Sequence, residues 1–180
     1  MKNFTKWASK EYSFTQRLLG TLPAGILFAL LIPYTLVKLI PPLDTVFHLP
    51  RLSFGSANII VGCILIIVGL TYAFWSIISQ FTQASGTPLP IMATQKLLVS
   101  GPFSQCRNPM TFGTILLYAG ISILVRSVAS LAVVLLFTVL LLIYIKRIEE
   151  RELEARFGQE YAAYKATTPF IIPRLISRQR

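Results

Sequence analysis

Residues 110–145 read MTFGTILLYAGISILV, then RS, then VASLAVVLLFTVLLLIYI. The two apolar runs, Met110–Val125 and Val128–Ile145, are parted only by Arg126 and Ser127. The first is short, roughly 24 Å long as a helix at 1.5 Å per residue. Two polar residues between such runs leave room only for a reversal. The stretch therefore predicts a tight antiparallel hairpin of spanning helices with Arg126 at its tip.

Toward the N-terminus two more apolar runs follow. Ala57–Ile78 carries no charge, and Leu18–Leu36 contains Pro23, Gly25 and Pro33. Prolines are tolerated in a spanning helix where neighbours or water satisfy the freed carbonyls. Leu18–Leu36 is too long for a signal-peptide core and lacks a small-residue cleavage pattern, so it is expected to be a retained helix. The expected fold class is all-α: a polytopic membrane protein of about four transmembrane helices with a C-terminal cytoplasmic interfacial helix. One domain is expected over residues 1–180, with two spans in 1–80, a loop in 81–109, the hairpin in 110–145 and a C-terminal segment in 146–180.

Composition agrees with this. Of the 180 residues 54% are hydrophobic and 13% charged, against about 25% charged in soluble domains. The net charge of +10 does not point to nucleic acid, because the basic residues flank apolar spans, as topology and headgroup contacts require. Fourteen Lys and Arg fall on the side that carries both termini and the Phe81–Pro109 loop, and Lys38, Arg51 and Arg126 fall on the other. Positive residues favour the cytoplasm, so both termini and that loop are expected there. His48 is the only histidine, Cys63 and Cys106 are the only cysteines, and no Cys/His spacing resembles a metal site.

Two polar stretches border the spans on that side. In the loop, Gly101-Pro102 marks a turn. Asn108-Pro109 marks a helix start, with Asn108 as N-cap candidate and Pro109 at the first helical position. The free N–H groups of such a start favour an anion, and Arg107 directly precedes it. After the last span, five of the seven acids, Glu149, Glu150, Glu152, Glu154 and Glu160, fall within twelve residues. Leu153, Phe157, Tyr161 and Tyr164 recur at helical spacing there, predicting an amphipathic helix, with Glu152 and Arg156 paired at i,i+4. Glu149 and Glu150 are about 100° apart on a helix, so one can turn inward while the other stays wet. A capped span with a lipid-facing Arg107, followed by a solvated charged helix, explains the same residues without any ligand.

The hairpin brings the two stretches together. An anion-favouring helix start beside a carboxylate pair suits S-adenosylmethionine, whose carboxylate needs donors and whose amine, sulfonium and ribose hydroxyls need acceptors. Leu97, Leu98 and Phe103 can cover its adenine. At this point the chain resembles the isoprenylcysteine carboxyl methyltransferase and phospholipid N-methyltransferase group of integral-membrane enzymes. The resemblance rests on Leu97-Leu98-Val99-Ser100-Gly101-Pro102-Phe103, Arg107-Asn108-Pro109-Met110-Thr111-Phe112-Gly113, Glu149-Glu150-Arg151-Glu152-Leu153, Phe157-Gly158-Gln159-Glu160-Tyr161-Ala162-Ala163-Tyr164 and Pro173.

The resemblance implies S-adenosylmethionine held by Gln95, Lys96, Leu97, Leu98, Gly101, Phe103, Asn108, Pro109, Met110, Thr111, Glu149 and Glu150. It implies catalytic roles for Arg107, Asn108 and Glu150. Asn108 stands where the family has His, and Thr111 where it has Tyr. Members acting on prenylcysteine carry an Arg one turn before the Glu pair. That position is Ile145 here, with Lys146 and Arg147 shifted, so Arg147 is the substrate-binding candidate. The implied function is methyl transfer to a lipophilic acceptor, namely a prenylcysteine carboxylate, a phospholipid amine or a small isoprenoid, entering between the second span and the hairpin. The alternatives are a nicotinamide-dependent membrane reductase and a catalytically degenerate scaffold.

Overall fold

The computed structural model describes residues 12–87, 92 and 94–174. Among these residues every regular element is helical. Helix α1, Phe14–Val46, opens on a capping box: Ser13 Oγ accepts from Gln16 N, and Gln16 Oε1 accepts from Ser13 N. Around Pro33, which offers no N–H, the ladder widens into π-helical stretches at Leu27–Leu31 and Thr35–Leu39. Helix α2, Ala57–Gln83, continues five residues beyond the expected end at Ile78. Its last turns carry Ser79 and Gln80, which are buried by packing that a hydropathy pattern does not register. A single turn, α3 (Pro102–Gln105), precedes α4 (Pro109–Val125) and α5 (Val128–Thr167). Helix α5 is apolar as far as Ile145, and the charged part begins at Lys146.

Three of these helices are long and apolar enough to cross a membrane, and α4 is a shorter apolar helix. The chain is an integral membrane protein. Most of the spanning surface faces outward, as lipid-exposed helices require; only 6–22% of each span's apolar window is buried. The expected hairpin is present. Arg126 takes the left-handed conformation at its tip (φ 60°, ψ 31°), and Ser127 Oγ caps α5 by accepting from Ser130 N at 3.0 Å. Asp44 Oδ1 adds a second cap, accepting from Ala129 N at 2.7 Å.

The main partner of α4 is α2 rather than α5. Gly69 and Gly113 face each other so closely that a Cβ on either would lie 2.6 Å from the other's carbonyl oxygen. One helical turn pair farther along, a Cβ on Gly120 would lie 2.8 Å from the Gly62 oxygen. Small residues allow such backbone contact, which replaces the missing hydrophobic drive inside a bilayer. The expected entry between the second span and the hairpin is therefore closed along α2 and α4. The small core, Leu36, Tyr118 and Val134, lies where α1 crosses α4 and α5, and Tyr118 Oη donates to the Phe28 carbonyl at 2.7 Å. The starts of α1 and α4 share one side of the molecule with the end of α2 and the end of the apolar part of α5.

A candidate cofactor site at the shared helix ends

On that side the loop after α2 folds back onto the helix. Gln95 N donates to Ala84 O at 2.8 Å, and Leu98 is buried, Leu97 half-buried and Lys96 exposed. Gly101 takes φ 58°, ψ −130°, a conformation closed to other residues, with Trp75 and Ser79 of α2 3.5 Å from where a Cβ would stand. This turn delivers Pro102 and Phe103 to α3. Cys106 follows, fully buried, and burial pushes its thiol up to about 11. It is therefore a protonated packing residue and not a nucleophile.

Arg107 and Glu150 form the centre. Arg107 Nη1 donates to Glu150 Oε1, both side chains being nine-tenths or more buried. The guanidinium lies 5.5 Å from the Phe170 ring, and its Nε is buried without a partner among the described residues. Glu150 Oε2 accepts from Lys165 Nζ at 3.0 Å, and Lys165 also reaches Glu154 at 2.7 Å. Both oxygens of Glu150 are thus engaged by cations. Glu149 is half-buried and makes no ion pair among the described residues. Burial first, then the neighbouring Glu152 and Glu150, push its carboxyl up to about 7. One member of the pair is held inside and the other is unpaired, as two adjacent helical positions must diverge.

Asn108 occupies the N-cap position and Pro109 the first turn, as expected, but the side chain makes no cap. Asn108 Nδ2 donates instead to Phe170 O at 2.8 Å. The competitor is a C-terminal strap, residues 168–174, which also accepts from Arg107 N at Pro169 O (2.9 Å) and donates from Arg174 N to Gln105 O (3.0 Å). Met110 and Thr111 are half-buried in the first turn of α4. Arg147 is exposed on the π-helical stretch Ile145–Glu149 and forms no ion pair among the described residues, so it is not drawn into the Arg107–Glu150 centre.

The expected single amphipathic helix after the last span is broken at Gly158 (φ 52°, ψ −123°). In a straight helix Glu154 and Lys165 would be about 16 Å apart, yet their side chains touch. The break turns Tyr161, Tyr164 and Lys165 back over Glu150, and Tyr164 Oη donates to the Phe103 carbonyl at 2.6 Å. Glu152 and Arg156 pair at 3.7 Å as expected, and Arg156 also donates to Thr94 O. Lys165 and Phe170 were not legible from periodicity, and the only sequence signal was a glycine within a helical pattern.

A family model described as phospholipid methyltransferase matches residues 57–160, more than half of the chain. The chain belongs to the phospholipid methyltransferase family. The matched span holds α2, the loop, the hairpin and both members of the Arg107–Glu150 pair, while Lys165 and Phe170 lie beyond it. The chain is also similar to the cobalt-zinc-cadmium resistance protein CzcN of Cupriavidus metallidurans, with 37% identity over 79 residues. That alignment covers 44% of this chain and 36% of the relative, so the chain spans about a third of the length of the curated relative it matches. Among the described residues no group of three or more His, Cys, Asp or Glu is placed to hold a metal ion. No solved structure matches the chain.

Proposed function

We propose that this chain uses S-adenosylmethionine to methylate a lipophilic acceptor at the cytoplasmic surface of the membrane. The observation that carries the reading is the buried Arg107–Glu150 pair, beside which, among the described residues, Arg107 Nε is buried without a partner and Glu149 makes no ion pair. A zwitterionic ligand with a further positive charge needs that combination. Glu150, held by Arg107 and Lys165, fixes the Arg107 guanidinium. Arg107 offers its Nε donor to a carboxylate, and Glu149 offers acceptors to an amine or to hydroxyls. Gln95, Lys96, Leu97, Leu98, Gly101, Phe103, Pro109, Met110 and Thr111 form the surrounding wall, and Asn108 ties the strap down over the site.

When bound, S-adenosylmethionine supplies an activated methyl group. The displacement is in-line, so positioning accounts for much of the barrier reduction. A carboxylate or thiolate acceptor needs no base, and an amine needs only to be neutral. Cys106 is kept protonated by burial, and His48 stands on the opposite side of the bundle, after α1. The methyl acceptor, whether a prenylcysteine carboxylate, a phospholipid amine or a small isoprenoid, would bring its tail along the outer face of α5. There Val139, Leu140 and Ile143 are exposed, about two to three turns before Glu149.

The test is calorimetric titration of the detergent-purified protein with S-adenosylhomocysteine, with NADPH in parallel. Micromolar binding of the former, weakened in Glu149→Gln while the thermal midpoint is retained, is the expected result. Binding of NADPH alone would replace the reading with a reductase. Silence from both ligands in folded protein would leave a scaffold.

A further inference from the structure

Arg17 lies outside the family-matched residues and apart from the Arg107 centre. It sits in the second turn of α1, roughly 6 Å along the axis from the Ser13 cap at 1.5 Å per residue. It is only 9% exposed. Its guanidinium lies 5.9 Å from the Phe14 ring centroid and 5.7 Å from that of Phe81. Nη1 donates to Phe81 O at 3.0 Å, and Nε is buried with no partner among the described residues.

Phe81 is in the last turn of α2, where carbonyls lack helical partners, so Arg17 caps that helix across the bundle. The terminus of a helix supplies only about half an elementary charge, which leaves the guanidinium undercompensated. No carboxylate among the described residues pairs with it. A buried cation at the edge of hydrocarbon is costly unless an anion meets it. Unpartnered buried polar atoms are rare in folded proteins, so the Arg17 Nε calls for a partner.

We propose that Arg17 forms an oxyanion site that takes the phosphate of a membrane lipid headgroup. Phosphates lie at this depth, and the guanidinium fork matches their oxygens. Phe14, 61% exposed beside Arg17, offers an apolar wall to the lipid's glycerol and upper chain. The site is independent of methyl transfer, so its test does not read activity.

The experiment is thermal unfolding of the detergent-purified full chain, followed by tryptophan fluorescence, with three probes: phosphatidylglycerol, a diacylglycerol with the same tails, and inorganic phosphate. Phosphatidylglycerol is expected to raise the midpoint saturably, and diacylglycerol and inorganic phosphate to have little effect. Arg17→Met is expected to raise the half-saturating lipid concentration about tenfold, the loss of one charge-assisted hydrogen bond. Lys146→Met, a charge-matched change at an exposed position, is expected to leave it unchanged. Equal response of wild type and Arg17→Met, or of the two single variants, would overturn the site. A response to inorganic phosphate matching that to the lipid would overturn the headgroup as its source. Should Arg17→Met fail to fold, Arg17→Lys decides, since it keeps the charge but loses the fork. An unchanged half-saturation there would overturn the proposal.

Discussion

Arg107 and Glu150 show how a buried ion pair behaves when it is cut. Removing one partner strands a charge that the other had neutralised, which typically costs about 3–5 kcal/mol. Glu150→Ala is therefore expected to destabilise the protein strongly, and a binding loss in that variant alone says little about ligand contact. The double change Arg107→Met with Glu150→Met strands nothing. It should recover most of the thermal midpoint and still bind no S-adenosylhomocysteine. Equal instability of the single and double variants would show that the two charges are not coupled. Glu149 makes a prediction of the opposite sign in pH. Its native carboxyl is raised from 4.5 to about 7, so between those values the folded state keeps a proton that the unfolded chain has lost. Stability therefore falls as pH rises from 4.5 to 7 and levels off above. Midpoints at pH 5 and 8 should differ more in wild type than in Glu149→Gln, and identical pH profiles would remove the perturbed carboxyl. Much of this was legible from residue types. The Arg107 and Glu149-Glu150 positions follow from polar groups at span ends joined by a two-residue turn. Which carboxylate is engaged was not, because Lys165 reaches Glu150 only after a backbone break that no periodicity encodes.

The helices themselves were the most legible part, because a bilayer leaves the backbone so few choices. Their ends and partners were less so. The hairpin followed from Arg126 and Ser127, yet the tightest packing is between α2 and α4, which are parted in sequence by the whole site loop. Gly62 and Gly69 are seven residues apart in α2, and what makes them a contact within the molecule is that Gly120 and Gly113 of α4 face them. Gly113→Ala would drive a methyl group to 2.6 Å from the Gly69 oxygen and 2.7 Å from Ala73 N. Backbone atoms yield little, so a loss of about 1–3 kcal/mol is expected, as for other overpacked sites. Gly25→Ala in α1 meets nothing within 4 Å. It should be neutral, or stabilising by up to about 1 kcal/mol through helix propensity. Thermal midpoints of the two alanine variants compare these directly, and similar values would mean that the helices separate readily enough to absorb a methyl group.

For the whole molecule, the distribution of charge sets a direction across the membrane. The side holding Arg107, Glu150 and the C-terminal strap also holds most of the basic residues, and the proposed cytoplasmic placement of the site, where a soluble charged cofactor is available, rests on that bias. The cysteines make this measurable. Cys106 is fully buried with a thiol pushed to about 11, and Cys63 lies within the spanning part of α2, so both should react slowly with a charged maleimide. Ser53→Cys, exposed in the connection between α1 and α2, is expected to label from outside intact cells. Ala166→Cys, exposed near the end of α5, is expected to label only after the membrane is opened. The reverse pattern would turn the molecule over and place the Arg107–Glu150 centre away from any cytosolic cofactor. That outcome would remove S-adenosylmethionine from the reading even if the fold and the ion pair were unchanged.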